Sequence, residues 1–154
     1  MMQNLKKKRY IKTVNNRVSC LSLNARSIKN KDLIIKDLFL ETNVEFAAIA
    51  ETWIPSNDFG DIWTKGCDLN TFGLKIHSIP RPEGRGGGIA LITKSYIDVN
   101  FIETQVYDSF ESGIWKLSFD KASIHVAIIY RPPTRKLLVS SLSTLLNSAA
   151  IWLV

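Results

Sequence analysis

Three apolar runs in this 154-residue chain each stop at a polar residue suited to phosphate or metal chemistry. The run VSCLSL, Val18–Leu23, ends at Asn24, with Arg26 just beyond. FAAIA, Phe46–Ala50, ends at Glu51, and IHVAII ends at Tyr130, with Arg131 next. A rigid strand can hold a side chain out of a dry core, and functional groups gather at such ends. If these ends share one rim, they assemble an amide, a carboxylate, a phenol and guanidinium groups. The carboxylate is a hard oxygen ligand that suits Mg2+, and the amide and phenol can hydrogen-bond a phosphate oxygen. Polar residues are also common wherever strands end, so the pattern alone favours an ordinary structural reading.

Other residue types with chemical potential carry less. GRGGGIAL, Gly84–Leu91, lacks the Gly-Lys-Ser/Thr ending of a P-loop and leads into a strand, so it reads as a tight turn before a closely approached strand. His77 and His125 each stand alone in an alternating strand, without a second ligand at metal spacing, which makes them structural. Cys20 and Cys67 form no metal spacing and no disulfide framework. Cys20 reads as a small buried hydrophobe and the compartment as reducing. Trp53, Trp63, Trp115 and Trp152 suit core or interface packing. Trp53, two residues from Glu51, is the one that could face a ligand.

The elements that must position these groups are short. Val18–Leu23 reads as a strand. Asn30–Thr42 reads as a helix with Asn30 as N-cap and with Leu33, Ile34, Asp37, Leu38 and Glu41 sorting onto an apolar and a polar side. Val44–Ala50 follows as a strand with little alternation, as expected when both faces are covered. Together they make a β-α-β unit. Pro55–Asn70 reads as an irregular loop. Gly73–Ile79, Ile89–Thr93, DVNFIE, GIWKLSF and SIHVAIIY follow as strands with short turns, an antiparallel section. The mixture is α+β, sheet packed on sheet or on helices. Leu137–Val154 carries no charge, yet Leu138, Leu142, Leu145 and Ala149 follow helical spacing among polar residues. An amphipathic helix fits it better than a membrane span.

The formal net charge of +6 is localised. Lys6, Lys7, Lys8, Arg9, Lys12 and Arg17 lie in residues 1–17 with no acid, and the other 14 basic residues are balanced by 14 acidic ones. Such an arm is drawn to phosphate backbones or acidic lipid, and its plainer reading is a solvated, disordered tail. No signal peptide is visible, because the basic start leads into polar residues.

LSLNARSIKNK, FAAIAETWI, HSIPRPEGRGGGIALI and IIYRPP, in this order over Val18–Pro133, resemble the endonuclease domain of non-LTR (LINE-type) retrotransposons. That domain belongs to the endonuclease/exonuclease/phosphatase superfamily, with apurinic-site repair endonucleases and deoxyribonuclease I. The charge sets off a basic arm over 1–17, and the resemblance implies, over 18–154, an incomplete domain, the N-terminal part of a four-layer α/β-β/α sandwich. It implies phosphodiester hydrolysis with Mg2+ or Mn2+, in which Asn24 lies near the scissile phosphate, Glu51 binds the metal and Tyr130 hydrogen-bonds the phosphate. Arg26 and Arg131 would touch the substrate phosphates. DNA is the implied substrate, a reverse transcriptase domain the implied partner in a full-length element, and the nucleus the implied location, with no membrane.

The family pattern continues after YRPP through a helix into a strand ending in Gly-Asp-Phe-Asn, and later to Ser-Asp-His. Here SLSTLLNSAAIWLV resembles that helix and the start of that strand, and the later motifs are not in the 154 residues. The expectation is therefore the N-terminal half of a nuclease domain, inactive as this fragment, since catalytic groups that act as a unit fail as a unit. Half a sandwich would also expose an apolar face and unpaired edges. The alternatives are a noncatalytic nucleic-acid-binding fragment using the arm with Arg26, Arg81, Arg85 and Arg131, or an apurinic-site repair-type relative.

Overall fold

The five residues of FAAIA are buried without a break because the strand they form is covered on both faces. A computed structural model describes residues 9–12, 17–55, 69–81, 86–106, 110–120, 122–133, 143 and 151–153. The strands are β1 (Arg9–Lys12), β2 (Arg17–Asn24), β3 (Phe46–Ala50), β4 (Leu74–Ile79), β5 (Ile89–Lys94), β6 (Asp98–Val106), β7 (Glu111–Phe119), β8 (Ala122–Tyr130) and β9 (Ile151–Leu153), with one helix α1 (Asp32–Thr42). They form a five-stranded sheet in the order β1-β2-β3-β5-β4 and a four-stranded sheet in the order β6-β7-β8-β9.

β3 is the central strand of the first sheet, and its side chains alternate between two cores. Ala47 and Ile49 point with Leu21, Ala90 and Ile92 toward Ile35, Leu38 and Phe39 of the helix. Phe46, Ala48 and Ala50 point with Cys20, Ile89 and Leu91 toward Trp115, Leu117, Val126 and Ile128 of the second sheet. Helix, sheet and sheet are thus three stacked layers, each sheet-side contact built by the period-two alternation of strands. The β-α-β expectation holds: β2 and β3 are parallel, with Asn24 level with Ala50. The middle of the chain is antiparallel, β3 against β5, β4 against β5, β6 against β7 and β7 against β8. Ile114, Ala127 and Ile129, whose side chains fall on the other face of the second sheet, are also buried. The bare apolar face expected of half a sandwich is therefore not found at these positions.

Several local expectations need correction. The N-cap of α1 is Lys31, which makes no side-chain cap bond, and Asn30 sits in the turn before it at φ 57°. The buried stripe of α1 is Ile35, Leu38 and Phe39, while Leu33 and Ile34 face outward. Helical spacing of i, i+3 and i+4 fits Ile35–Leu38–Phe39, whereas Ile34 and Leu33, one and two positions before Ile35, turn off that stripe. Part of the basic arm is strand: Arg9–Lys12 pair antiparallel with Arg17–Cys20 at the edge of the first sheet. Most of Pro55–Asn70 lies outside the described residues, and Leu69–Phe72 form a single 3-10 turn; of Leu137–Val154 only residues 143 and 151–153 are described, and Ile151–Leu153 are strand rather than part of the expected amphipathic helix. Among the described residues no helix is long and apolar enough to cross a membrane.

Candidate active site

Where β2 and β3 end, side by side, the backbone does not simply turn away. Pairing continues past the strands: Ala25 N donates to Ala50 O at 2.8 Å, Ser27 N to Glu51 O at 2.7 Å and Ile28 N to Thr52 O at 3.1 Å. On the other side Thr52 N donates to Gly88 O at 3.2 Å and Trp53 N to Gly87 O at 2.9 Å. Four residues along this rim hold the left-handed region without being glycine: Arg26 (φ 44°), Ser27 (φ 80°), Glu51 (φ 54°) and Trp53 (φ 57°). Each such residue costs of order 1–3 kcal/mol, and such strain gathers at functional sites. The Lys31 ammonium donates to the carbonyls of Ala25 and Arg26, at 2.5 and 3.3 Å, and ties the first loop down.

The strained backbone at Glu51 aims its carboxylate at two residues that are far away in sequence. Tyr130 OH donates to Glu51 Oε1 at 2.6 Å. Asn24 Nδ2 donates to the same oxygen at 3.0 Å, and Asn24 Oδ1 accepts from the Arg26 backbone N–H at 3.2 Å. The Trp53 side chain gives Glu51 a further hydrogen bond, and its ring is 45% exposed, so it faces solvent beside the carboxylate. Amide, carboxylate and phenol therefore meet at one rim. Arg26 and Arg131 are both exposed there in the chain, the first acting on Glu51 through its charge and the second directly following Tyr130.

These contacts set the charge state. Burial pushes the Glu51 carboxyl up, but the hydrogen bonds from Tyr130 and Asn24, the Arg26 charge and the bond from Trp53 together bring it below the usual 4.5. The same bond and its own burial raise the Tyr130 phenol well above its ordinary 10, burial being the larger cause. At neutral pH the pair is carboxylate and phenol, acceptor and donor.

The glycine run lines the site as a close-approach turn. Gly88, at φ 77°, has no room for a side chain: a Cβ there would lie 2.6 Å from Thr52 Oγ1. A Cβ on Gly87 would run into the Arg81 guanidinium. That guanidinium is ion-paired with Glu111, which is 6% exposed and whose other oxygen takes the Gly88 N–H at 2.8 Å. Arg81 is thus held in an ion pair with Glu111 and is 18% exposed; Arg85 lies outside the described residues. The sequence also carries a signal for Glu111, a carboxylate at the opening of the apolar strand in FESGIW, where Glu51 stands just past the close of one. His125 is exposed opposite Lys116. His77 Nε2 is buried with no hydrogen-bond partner among the described residues. Among the described residues no three His, Cys, Asp or Glu side chains cluster as a metal cage.

No protein-family model and no curated protein matches this chain. Solved structures do. The catalytic domain of human Nocturnin with bound sulfate aligns at a TM-score of 0.57 and 11% identity, over 96% of this chain and 65% of that one. TDP2 of D. rerio, complexed with a single-strand DNA product, aligns at 0.56 and 10% identity, over 84% of this chain and 53% of that one. The fold is deoxyribonuclease I-like. Truncated TDP2 of Caenorhabditis elegans adds a third match at 0.54 and 15% identity, over 77% of this chain and 47% of that one. These neighbours are members of the endonuclease/exonuclease/phosphatase superfamily. The chain spans between about half and two thirds of their length. In the deoxyribonuclease I-like fold seen here, Asn24, Glu51 and Tyr130 stand at the ends of β2, β3 and β8.

Proposed function

We infer that this chain supplies the metal-binding half of a DNA-cleaving phosphodiesterase site of the retrotransposon endonuclease type, and that it binds metal and DNA without turning over by itself. The observation that carries the reading is the meeting of Asn24 and Tyr130 on one oxygen of Glu51, from three separate strands. The donor set fits a hard divalent cation, since Mg2+ is commonly held by one or two carboxylates, with waters and substrate phosphates completing the shell. Bound at Glu51, Mg2+ or Mn2+ would stabilise charge on phosphoryl oxygens.

The chain's own residues do the rest of the work available to them. Glu51 stays ionised at neutral pH and would hold the cation. Asn24 and Tyr130 fix the rotation of the carboxylate, which pre-organises it for a ligand. The single Tyr130 O–H donates to Glu51 Oε1 here and would turn to a phosphate oxygen where a cation takes its place at the carboxylate. Arg26 and Arg131 add exposed positive charge beside it, and the lysines of the basic N-terminal sequence add further charge that attracts the phosphate backbone. The order NARS, ETW, GRGGG and YRPP supports the retroelement branch, with a reverse transcriptase domain as partner and a nuclear location.

Titration with Mn2+ followed by Trp53 fluorescence, alongside nicking of supercoiled DNA in millimolar Mg2+, tests the reading. Weak Mn2+ binding that Glu51→Gln abolishes, with DNA bound but uncut, is the expected result. No binding at millimolar metal, or binding indifferent to Glu51→Gln, refutes the site; nicking by this chain refutes the inactivity.

A further inference from the structure

We propose that Glu111, with Arg81, is a positioning residue for the Glu51 site: its carboxylate clamps the glycine turn on which the strained Glu51–Trp53 backbone is hung. One Glu111 oxygen takes the Arg81 Nε–H and the other takes the Gly88 N–H at 2.8 Å. The carbonyls of Gly88 and Gly87 in turn accept from Thr52 N and Trp53 N. A single carboxylate is therefore two hydrogen bonds away from the residues that flank Glu51 on its C-terminal side. It is also level with Tyr130 across the β7–β8 ladder, so the strand that presents the phenol and the turn that presents the carboxylate are referenced to one residue. Gly87 leaves space for the guanidinium and Gly88 for Thr52, which explains why this turn needs glycine at consecutive positions.

The clamp is nearly dry: the side chains of Arg81 and Glu111 are 18% and 7% exposed. A buried charge pair is a weak source of net stability, because desolvation offsets attraction, but breaking it leaves one charge stranded. Its contribution here is geometric. It holds φ 54° at Glu51 and φ 57° at Trp53, conformations that relax toward the ordinary region once the turn is released.

The inference rests on the metal reading of Glu51, and the test separates the two. In the full chain, Glu111→Gln keeps an acceptor for Gly88 N–H but loses the charge facing Arg81. It is expected to weaken Mn2+ binding by about 10- to 100-fold, the usual effect of removing an outer partner of a metal ligand. Glu45→Gln, at the opposite end of β3, is the control and leaves affinity unchanged. Proton–nitrogen NMR without metal reads geometry directly: the Asn24 side-chain amide and Trp53 indole N–H signals should move in Glu111→Gln and stay in place in Glu45→Gln. Should Glu111→Gln not fold, Arg81→Gln, on the more exposed partner, carries the same readout. Unmoved Asn24 and Trp53 signals in a folded variant overturn the positioning role. Moved signals in a protein that never binds Mn2+ support it and overturn the metal reading instead.

Discussion

Gly88→Ala is the sharpest test of how the rim is packed, because the structure separates its two penalties. At φ 77° an alanine pays the left-handed backbone cost, about 1–2 kcal/mol. It recovers about 0.4–1 kcal/mol from a stiffer unfolded chain. Its Cβ would also stand 2.6 Å from Thr52 Oγ1 and 3.4 Å from the Ile79 carbonyl. Thr52 is fully buried and β-branched, so it has little freedom to move away, and overpacking of this kind costs about 1–3 kcal/mol. Gly73 is the internal reference. Its φ of 69° is nearly the same, but a Cβ there meets nothing closer than Ser95 Oγ at 3.8 Å. Urea unfolding should therefore show Gly73→Ala losing about 1 kcal/mol and Gly88→Ala about 1–3 kcal/mol more. Adding Thr52→Ala to Gly88→Ala should return most of that excess, since the clashing hydroxyl has no hydrogen-bond partner to lose. Equal losses at the two glycines, or no recovery in the double variant, would refute the close approach of Thr52 to the turn.

Further outcomes are expected. Tyr130→Phe removes the 2.6 Å bond to Glu51, so the carboxyl should rise toward 4.5; because its depressed value keeps it ionised above that pH and it protonates only as pH falls through the lower folded value, acid loss of Mn2+ binding should begin at higher pH in the variant. Burial first, and Lys75 second, lower the His77 imidazole below 6.5. Its contribution to stability is therefore complete above pH 6.5 and is lost as pH falls below it, while the unfolded chain takes up the proton; His77→Leu should flatten the fall in urea midpoint between pH 7 and pH 5. Replacing Lys6, Lys7 and Lys8 by alanine should make DNA affinity less steep in log salt, by up to about 0.9 per lost phosphate contact.

The parts of this molecule legible in its sequence are those written in short periodicities. FAAIA announced a strand covered on both sides, and the run from Gly73 to Tyr130 announced antiparallel pairing. Asn24, Glu51 and Tyr130 were visible because each breaks an apolar run, and nothing local could show that they share one oxygen. The Arg81–Glu111 pair was hidden for the same reason, since 30 residues separate its members and Arg81 sits in a Pro-rich turn that looks like surface. The positive φ at Glu51 was equally silent: a glutamate has no intrinsic reason to adopt it, and only the bonds from the glycine turn and from Ser27 impose it. In α1, Leu33 and Ile34 misled because apolar residues flank the stripe on both sides, and which face turns inward is settled by the sheet beneath.

The register of the last strand has a practical bearing. β9 runs parallel to β8, with Leu153 level with Ile129, one step short of the phenol-bearing position. β9 therefore heads toward the end of β8 at which Tyr130 meets Glu51. A purification handle rich in imidazole attached there would compete for any divalent ion offered to the protein, so handles belong elsewhere on the chain.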